Sequence, residues 1–155
     1  WNGQTVGDYP FSVAQHSLLV ENIFSMQFPD MDNPSKLFAL LHDSAEYVIG
    51  DMISPLKSHL GANYEELDDN LTKAICMRFN IPTKKIEAIK KRIKLADKKA
   101  AWLEAIHLAG FSQQEADSVF GKQKGIKGFE SSLLPEAPFF VRKKFVNRFN
   151  ELYKP

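Results

Sequence analysis

Apolar residues recur every three to four positions along most of this chain, and the alternating pattern of a β-strand is scarce. A helix buries one such face, whereas a strand needs a period of two. The periodic segments are residues 13–24, 37–41, 64–79, 86–106 and 139–152. We therefore predict an all-α protein that forms a compact helical bundle.

Helix-start signals divide these segments. Serine, threonine and asparagine favour N-caps, a serine with glutamate or glutamine three residues later forms a capping box, and proline suits the first turn. The predicted caps are Ser12 with Gln15, Asn33 with Pro34, Thr83, and Ser112 with Glu115. Gly50 and Pro55 mark a break between helices. The sequence therefore predicts where most of the helices begin.

Length and charge indicate a single domain, residues 1–155, with a small-molecule partner. A chain of 155 residues buries about two-thirds of its unfolded surface in one core. The 20 basic and 19 acidic side chains leave no basic field for a nucleic-acid polymer. No segment approaches the ~20 apolar residues of a membrane span. The single cysteine, Cys76, excludes an internal disulfide, so we expect a cytoplasmic protein. The chain starts at Trp1 without a methionine, so we expect it to be trimmed from something longer.

Ionisable residues are concentrated directly after the second periodic segment. His42, Asp43, Glu46 and Asp51 lie within ten residues, a density that a packed core does not tolerate without partners. A metal ion is the natural partner for such a cluster, and His16 and Asp97 complete a ligand set. Two imidazoles and two carboxylates suit a divalent first-row metal and leave coordination positions open for water and substrate.

The order of these residues resembles the HD-domain metal-dependent phosphohydrolases. The segments that carry the resemblance are 13–17 (VAQHS), 42–46 (HDSAE), 50–51 (GD) and 54–57 (SPLK), followed by Asp97. They look most like the branch that contains bacterial 5′-deoxynucleotidases and phage dATP triphosphohydrolases. The resemblance covers residues 1–100 and thins beyond them. It implies an HD-domain helical bundle.

The resemblance also implies the metal ligands, which would be His16, His42, Asp43 and Asp97. They would hold one divalent metal ion (Mn, Co, Ni, Zn, Fe or Mg). HD proteins with two metals generally place additional histidines between the HD pair and the last aspartate, and this interval contains only His59. We therefore expect a single metal.

Five further residues match positions in the resembling enzymes that act on the substrate. Glu46 and Asp51 would position and deprotonate the attacking water and serve the leaving group, and the sequence leaves open which is base and which is acid. Lys57 and Lys94 would neutralise phosphate. In the family an arginine precedes the position of Trp1, and Trp1 itself would stack on a nucleobase.

The predicted function is hydrolysis of a nucleotide, either removal of the 5′-phosphate from a deoxynucleoside monophosphate or release of triphosphate from a dNTP such as dATP. The alternative is a non-catalytic nucleotide-sensing or metal-binding module. A homo-oligomer is expected. Segment 121–128 holds three glycines and three lysines in no phosphate-loop pattern, so we predict a mobile solvated loop there.

Overall fold

The computed structural model describes residues 1, 3–124 and 128–154, and helices dominate it. The helices are α1 (Val13–Gln27), α2 (Asn33–Leu40), α3 (Glu46–Ile49), α4 (Ser54–Leu60), α5 (Ala62–Arg78), α6 (Thr83–His107), α7 (Gln113–Phe120) and α8 (Pro138–Leu152), with a 3₁₀ helix at Glu130–Leu133. No β-strand occurs in the described part of the chain. The all-α prediction is confirmed. Residues 125–127, in the predicted mobile loop, lie outside the described residues.

Helix α1 forms the centre of the fold. It packs against α2, α6 and α8, and its inward side chains Leu19, Val20, Ile23 and Phe24 are at most 1% exposed. Full burial of an aliphatic or aromatic side chain contributes about 1.5–3 kcal/mol. These contacts fix α1 relative to α2 and α6, the helices that flank the ionisable cluster.

Two helix starts agree with the sequence, one of them in part. Ser112 and Glu115 form a complete capping box at α7. At α1 the Ser12 hydroxyl accepts from the Gln15 N–H at 3.3 Å. The Gln15 side chain does not return to Ser12, because it donates to the Leu134 carbonyl at 3.0 Å. The predicted capping box at α1 is therefore only half formed. The Gln15 side chain, which would have completed it, instead binds the segment before α8.

Two cap predictions are wrong. Asp32 caps α2 by accepting from the Ser35 N–H at 3.1 Å, so Asn33 is the first helical residue. Thr83 begins α6 and caps nothing, since Pro82 occupies the N-cap position. A helix without a side-chain cap leaves its first N–H groups to solvent.

The apolar faces of α5 and α8 are less buried than their patterns predict. On α8, Phe139 and Phe140 are 70% and 57% exposed. Cys76 is buried within α5, whereas Leu71 on the same helix and Phe79, directly after it, remain half-buried. Helical spacing identifies an apolar face and leaves open what that face contacts. None of the described helices combines the length and apolar character needed to cross a membrane.

Candidate metal centre

Side chains from three elements converge beside α1. His16 lies in the first turns of α1, His42 in the turn after α2, and Asp97 in the middle of α6. One ligand atom from each residue lies within 4.8 Å of the others. These three residues form a group that could bind a metal ion.

Asp43 lies against the same group. Its Oδ2 atom is 3.4 Å from His16 Nε2 and 3.2 Å from His42 Nε2, and Asp97 Oδ1 is 3.2 Å from His16 Nε2. Burial by itself raises the pKa of Asp43, but the neighbouring His42, His16 and Lys57 charges outweigh burial and lower that pKa to about 2. Asp43 is therefore a carboxylate at neutral pH and available as a ligand.

The turn after α2 explains how adjacent residues reach one point. Helix α2 ends at Leu40, and the chain continues through short-range bonds, from the Ser44 N–H to the Leu41 carbonyl and from the Glu46 N–H to the Asp43 carbonyl, both 3.0 Å long. Such i to i+3 bonds are tighter than those of an α-helix and rotate successive side chains differently. His42 and Asp43 therefore both face the group.

The hydrogen bond of His42 fixes which ring nitrogen is available. Nδ1 lies 3.0 Å from the Ala39 carbonyl, which can only accept, so Nδ1 carries a proton. In the neutral ring Nε2 then presents a lone pair. This atom is buried and forms no hydrogen bond with the described residues, although the Asp43 carboxylate lies 3.2 Å away. With a neutral ring, two acceptors would face each other at 3.2 Å, and a cation between them would satisfy both.

His16 is held in the same way by Glu104. Glu104 Oε1 lies 2.7 Å from His16 Nδ1, so that nitrogen donates and Nε2 faces Asp43 and Asp97. Burial lowers the pKa of His16, but the Glu104 charge and the bonds to Asp97 and Glu104 raise it well above its usual value. The surrounding carboxylates therefore favour positive charge at His16 Nε2, which a divalent cation in place of the proton would also supply.

Glu104 is the residue that the sequence analysis missed. It is 2% exposed, and its second oxygen accepts from Trp1 Nε1 at 2.7 Å. Metal-binding histidines usually donate their other N–H to such a partner, which fixes the ring. Glu104 lies seven residues after Asp97, two turns along one face of α6. That spacing could have identified it.

A Glu104→Gln substitution should weaken metal binding by ~10–100-fold, the usual effect of losing a ligand's supporting partner. Glutamine offers one oxygen, whereas His16 Nδ1–H and Trp1 Nε1–H both need an acceptor. One donor must lose its partner, or His16 must move its proton to Nε2. Metal titration by calorimetry measures the affinity, and ¹⁵N chemical shifts report the His16 tautomer. Glu115→Gln, at an exposed cap, is the control; equal affinities in both variants would contradict the role of Glu104.

Trp1 is packed against the protein on several sides. Its ring lies edge-on to Phe111 and Phe120, with centroids 5.9 and 6.3 Å away, and its N–H is bound by Glu104. The ring therefore supports the carboxylate that orients His16. Stacking of a nucleobase on Trp1 stays a prediction.

Glu46 and Lys57 form an ion pair at the edge of the group. Lys57 Nζ donates to Glu46 Oε1 at 3.1 Å and lies 5.8 Å from the ring centre of Tyr64. Burial and the negative charge of Asp43 raise the pKa of Glu46, and the Lys57 contacts oppose this. Asp51 is more exposed, with Oδ2 3.9 Å from the backbone nitrogen of Trp1.

A cleft of about 370 Å³, which we call the metal cleft, borders the metal group. The predicted site residues among its lining side chains are Trp1, His16, Asp43, Glu46, Asp51 and Lys57. Lys94 lies elsewhere, in a 170 Å³ cleft that it shares with His42 and Asp97. The structure thus brings Lys57, but not Lys94, into the cleft with Glu46 and Asp51.

Comparison with known proteins gives a relative without a known activity. No family model matches this chain. An uncharacterized protein of Rhodobacter capsulatus, RCAP_rcc00048, is 48% identical over 156 aligned positions, which cover 99% of this chain and 79% of the relative. Identity at this level along nearly the whole chain means a common fold and ancestry. The chain belongs to the same protein family as RCAP_rcc00048.

Proposed function

We propose that this protein is a metal-dependent phosphohydrolase that acts on nucleotides. One divalent ion would be held by His16, His42, Asp43 and Asp97. The observation that carries the proposal is the convergence of both histidine Nε2 atoms with two carboxylates. The Nδ1 atom of each histidine is hydrogen-bonded on the opposite side of the ring, to Glu104 or to the Ala39 carbonyl. The resemblance to HD-domain enzymes supplies the reaction class and the nucleotide substrate.

The charges of the cleft support a bound cation. Four acidic side chains line the cleft: Asp43, Glu46, Asp51 and Glu104. Among the lining residues that the structure describes, Lys57 is the lysine. A phosphate ester would be repelled by this excess of carboxylates. When bound, a divalent ion would lower the pKa of a coordinated water and polarise a phosphoryl oxygen.

The residues around the group have separate tasks in this proposal. Glu46 and Asp51, on the rim of the cleft, would exchange protons with the attacking water and the leaving oxygen. Lys57 pairs with Glu46 in the absence of substrate, and it would donate to a phosphate oxygen when substrate is present. Glu104 and the Ala39 carbonyl would keep the imidazoles oriented.

A metal and substrate screen tests the proposal. Metal-free protein would be resupplied with Mn, Co, Ni, Zn, Fe or Mg and incubated with ribo- and deoxyribonucleoside mono- and triphosphates. Release of inorganic phosphate from a nucleoside 5′-monophosphate identifies a 5′-nucleotidase, and release of inorganic triphosphate from a dNTP identifies a dNTP triphosphohydrolase. Binding of metal and nucleotide with no product under any condition would instead indicate the non-catalytic module.

A Glu46→Gln substitution should lower kcat by ~10²-fold or more while metal binding persists, because the carboxylate takes part in proton transfer. The pH profile then assigns its role. A base works ionised, so the rate should rise with pH through the raised pKa of Glu46; an acid works protonated, so the rate should fall there. Glu66→Gln, on an exposed part of α5, is the control. An unchanged kcat in Glu46→Gln would remove Glu46 from the chemistry.

A further inference from the structure

A larger cavity opens next to the metal cleft. Its volume is about 730 Å³, within the 300–1,000 Å³ usual for small-molecule sites. It shares Val13, Asp43, Glu46 and Asp51 with the metal cleft, so the two volumes meet at the predicted catalytic carboxylates. A molecule bound across this junction would have one end beside the metal group and the other end in the cavity.

The walls of this cavity are mostly apolar and come from α1, α3, α5 and α8. Leu71 and Ile75 of α5 and Phe79, the residue directly after α5, recur every four positions, and they line the cavity together with Phe145 of α8. Such a stripe predicts a core-packing face, yet these three side chains remain half-buried. The apolar face of α5 is therefore available to a ligand beside the carboxylates.

Arg78 restricts the kinds of ligand that would fit this cavity. It lines the cavity, and its guanidinium carbon lies 5.4 Å from the ring centre of Phe79. A guanidinium is planar, stacks on aromatic faces and presents several N–H donors. An aliphatic chain would leave these donors unused. A flat aromatic ring with hydrogen-bond acceptors uses both the apolar walls and the arginine.

We propose that this cavity binds the nucleobase of the substrate, with the phosphate in the metal cleft. The inference rests on the proposed function and places the base between α1 and α5, away from Trp1. The two spaces share the carboxylates of Asp43, Glu46 and Asp51. Beyond these, the metal cleft holds His16 and Lys57, whereas the larger cavity is lined mostly by aliphatic and aromatic side chains, together with Arg78. In this arrangement Trp1, which donates to Glu104 and packs on two phenylalanines, helps to position the carboxylate that orients His16.

Filling the cavity with Ala74→Trp tests the inference. Ala74 is an exposed lining residue, so the larger ring extends into the cavity without entering the core. KM for a deoxynucleoside monophosphate should rise at least about tenfold, the scale of one lost base contact. KM for 2-deoxyribose 5-phosphate, which has no base, should change less than about twofold on the same reasoning. Met77→Trp, on the same helix, 71% exposed and outside the cavity lining, is the matched control.

Direct binding of a phosphate-free ligand separates this inference from the proposed function. The manganese-loaded protein would be titrated with the four 2′-deoxynucleosides by calorimetry. Binding that Ala74→Trp abolishes and Met77→Trp preserves supports the cavity even if no nucleotide is hydrolysed. Equal KM increases on nucleotide and sugar phosphate, or nucleoside binding unaffected by Ala74→Trp, would overturn it. A lower oligomer mass in light scattering of Ala74→Trp, with nucleoside binding retained, would assign the cavity to a second copy of the chain.

Discussion

Replacing Asp97 with alanine is expected to abolish metal retention, and turnover with it. Asp97 Oδ1 lies 3.2 Å from His16 Nε2 and brings a negative charge from α6 to a group otherwise supplied by α1 and the turn after α2. Loss of an outer partner costs ~10–100-fold in metal affinity, and loss of a charged ligand should exceed that range. Metal content after gel filtration, measured by mass spectrometry, gives the result.

The control for this experiment is Asp30→Ala. Asp30 is an exposed carboxylate beyond the far end of α1, so its removal changes net charge by the same amount without touching the site. It should retain wild-type metal content. Circular dichroism of both variants verifies that the helices persist. Full metal occupancy in a folded Asp97→Ala protein would refute the ligand assignment and remove the basis of the proposed chemistry.

Replacing Arg148 with methionine is expected to destabilise the protein by ~3–5 kcal/mol, the usual cost of leaving a buried charge without its partner. Arg148 Nε and one terminal nitrogen donate to the two oxygens of Glu21 at 2.8 and 2.6 Å. Glu21 is 3% exposed, in the middle of α1. Without Arg148, the Ser25 hydroxyl remains to donate to it. Urea unfolding measures the change in the free energy of unfolding.

Two variants isolate that ion pair. Arg148 also contacts Glu151, whose side chain is 63% exposed; Glu151→Ala should therefore cost less than about 1 kcal/mol. The double variant Glu21→Gln with Arg148→Met removes both charges and keeps an acceptor for Ser25, so it should be more stable than Arg148→Met alone. A cost below about 1 kcal/mol for Arg148→Met would show that Glu21 gains water in the variant instead of staying buried without a partner.

The sequence by itself determined the all-α class and the long helices, and it indicated the residues of the candidate metal group, but it did not predict the short helices α3 and α4. Periodicity is a local property, and an apolar stripe every three to four residues can be satisfied only by a helix. The His42–Asp43 dipeptide was informative for a similar reason. Ionisable neighbours that close together need a common partner when the chain buries them.

Cap choice depended on competition between neighbouring side chains. Asn33 and Asp32 both suit an N-cap, and Asp32 holds that position because its carboxylate reaches the Ser35 N–H and hydroxyl. Gln15 could have closed a capping box with Ser12, but a carbonyl 119 residues away offers it a better partner. Local sequence patterns show which side chains can cap a helix, but they do not show which distant groups compete for those side chains.

Only the tertiary structure decided which side chains share a space. It brought Glu104 behind His16, paired Lys57 with Glu46, and left Lys94 in a different cleft. It also turned the apolar face of α5 towards a cavity beside the carboxylates. These outcomes depend on how α1, α5 and α6 pack, because packing angles and separations arise from side chains far apart in the chain. Helical spacing identifies the face of a helix, and the partner of that face is set by the rest of the molecule.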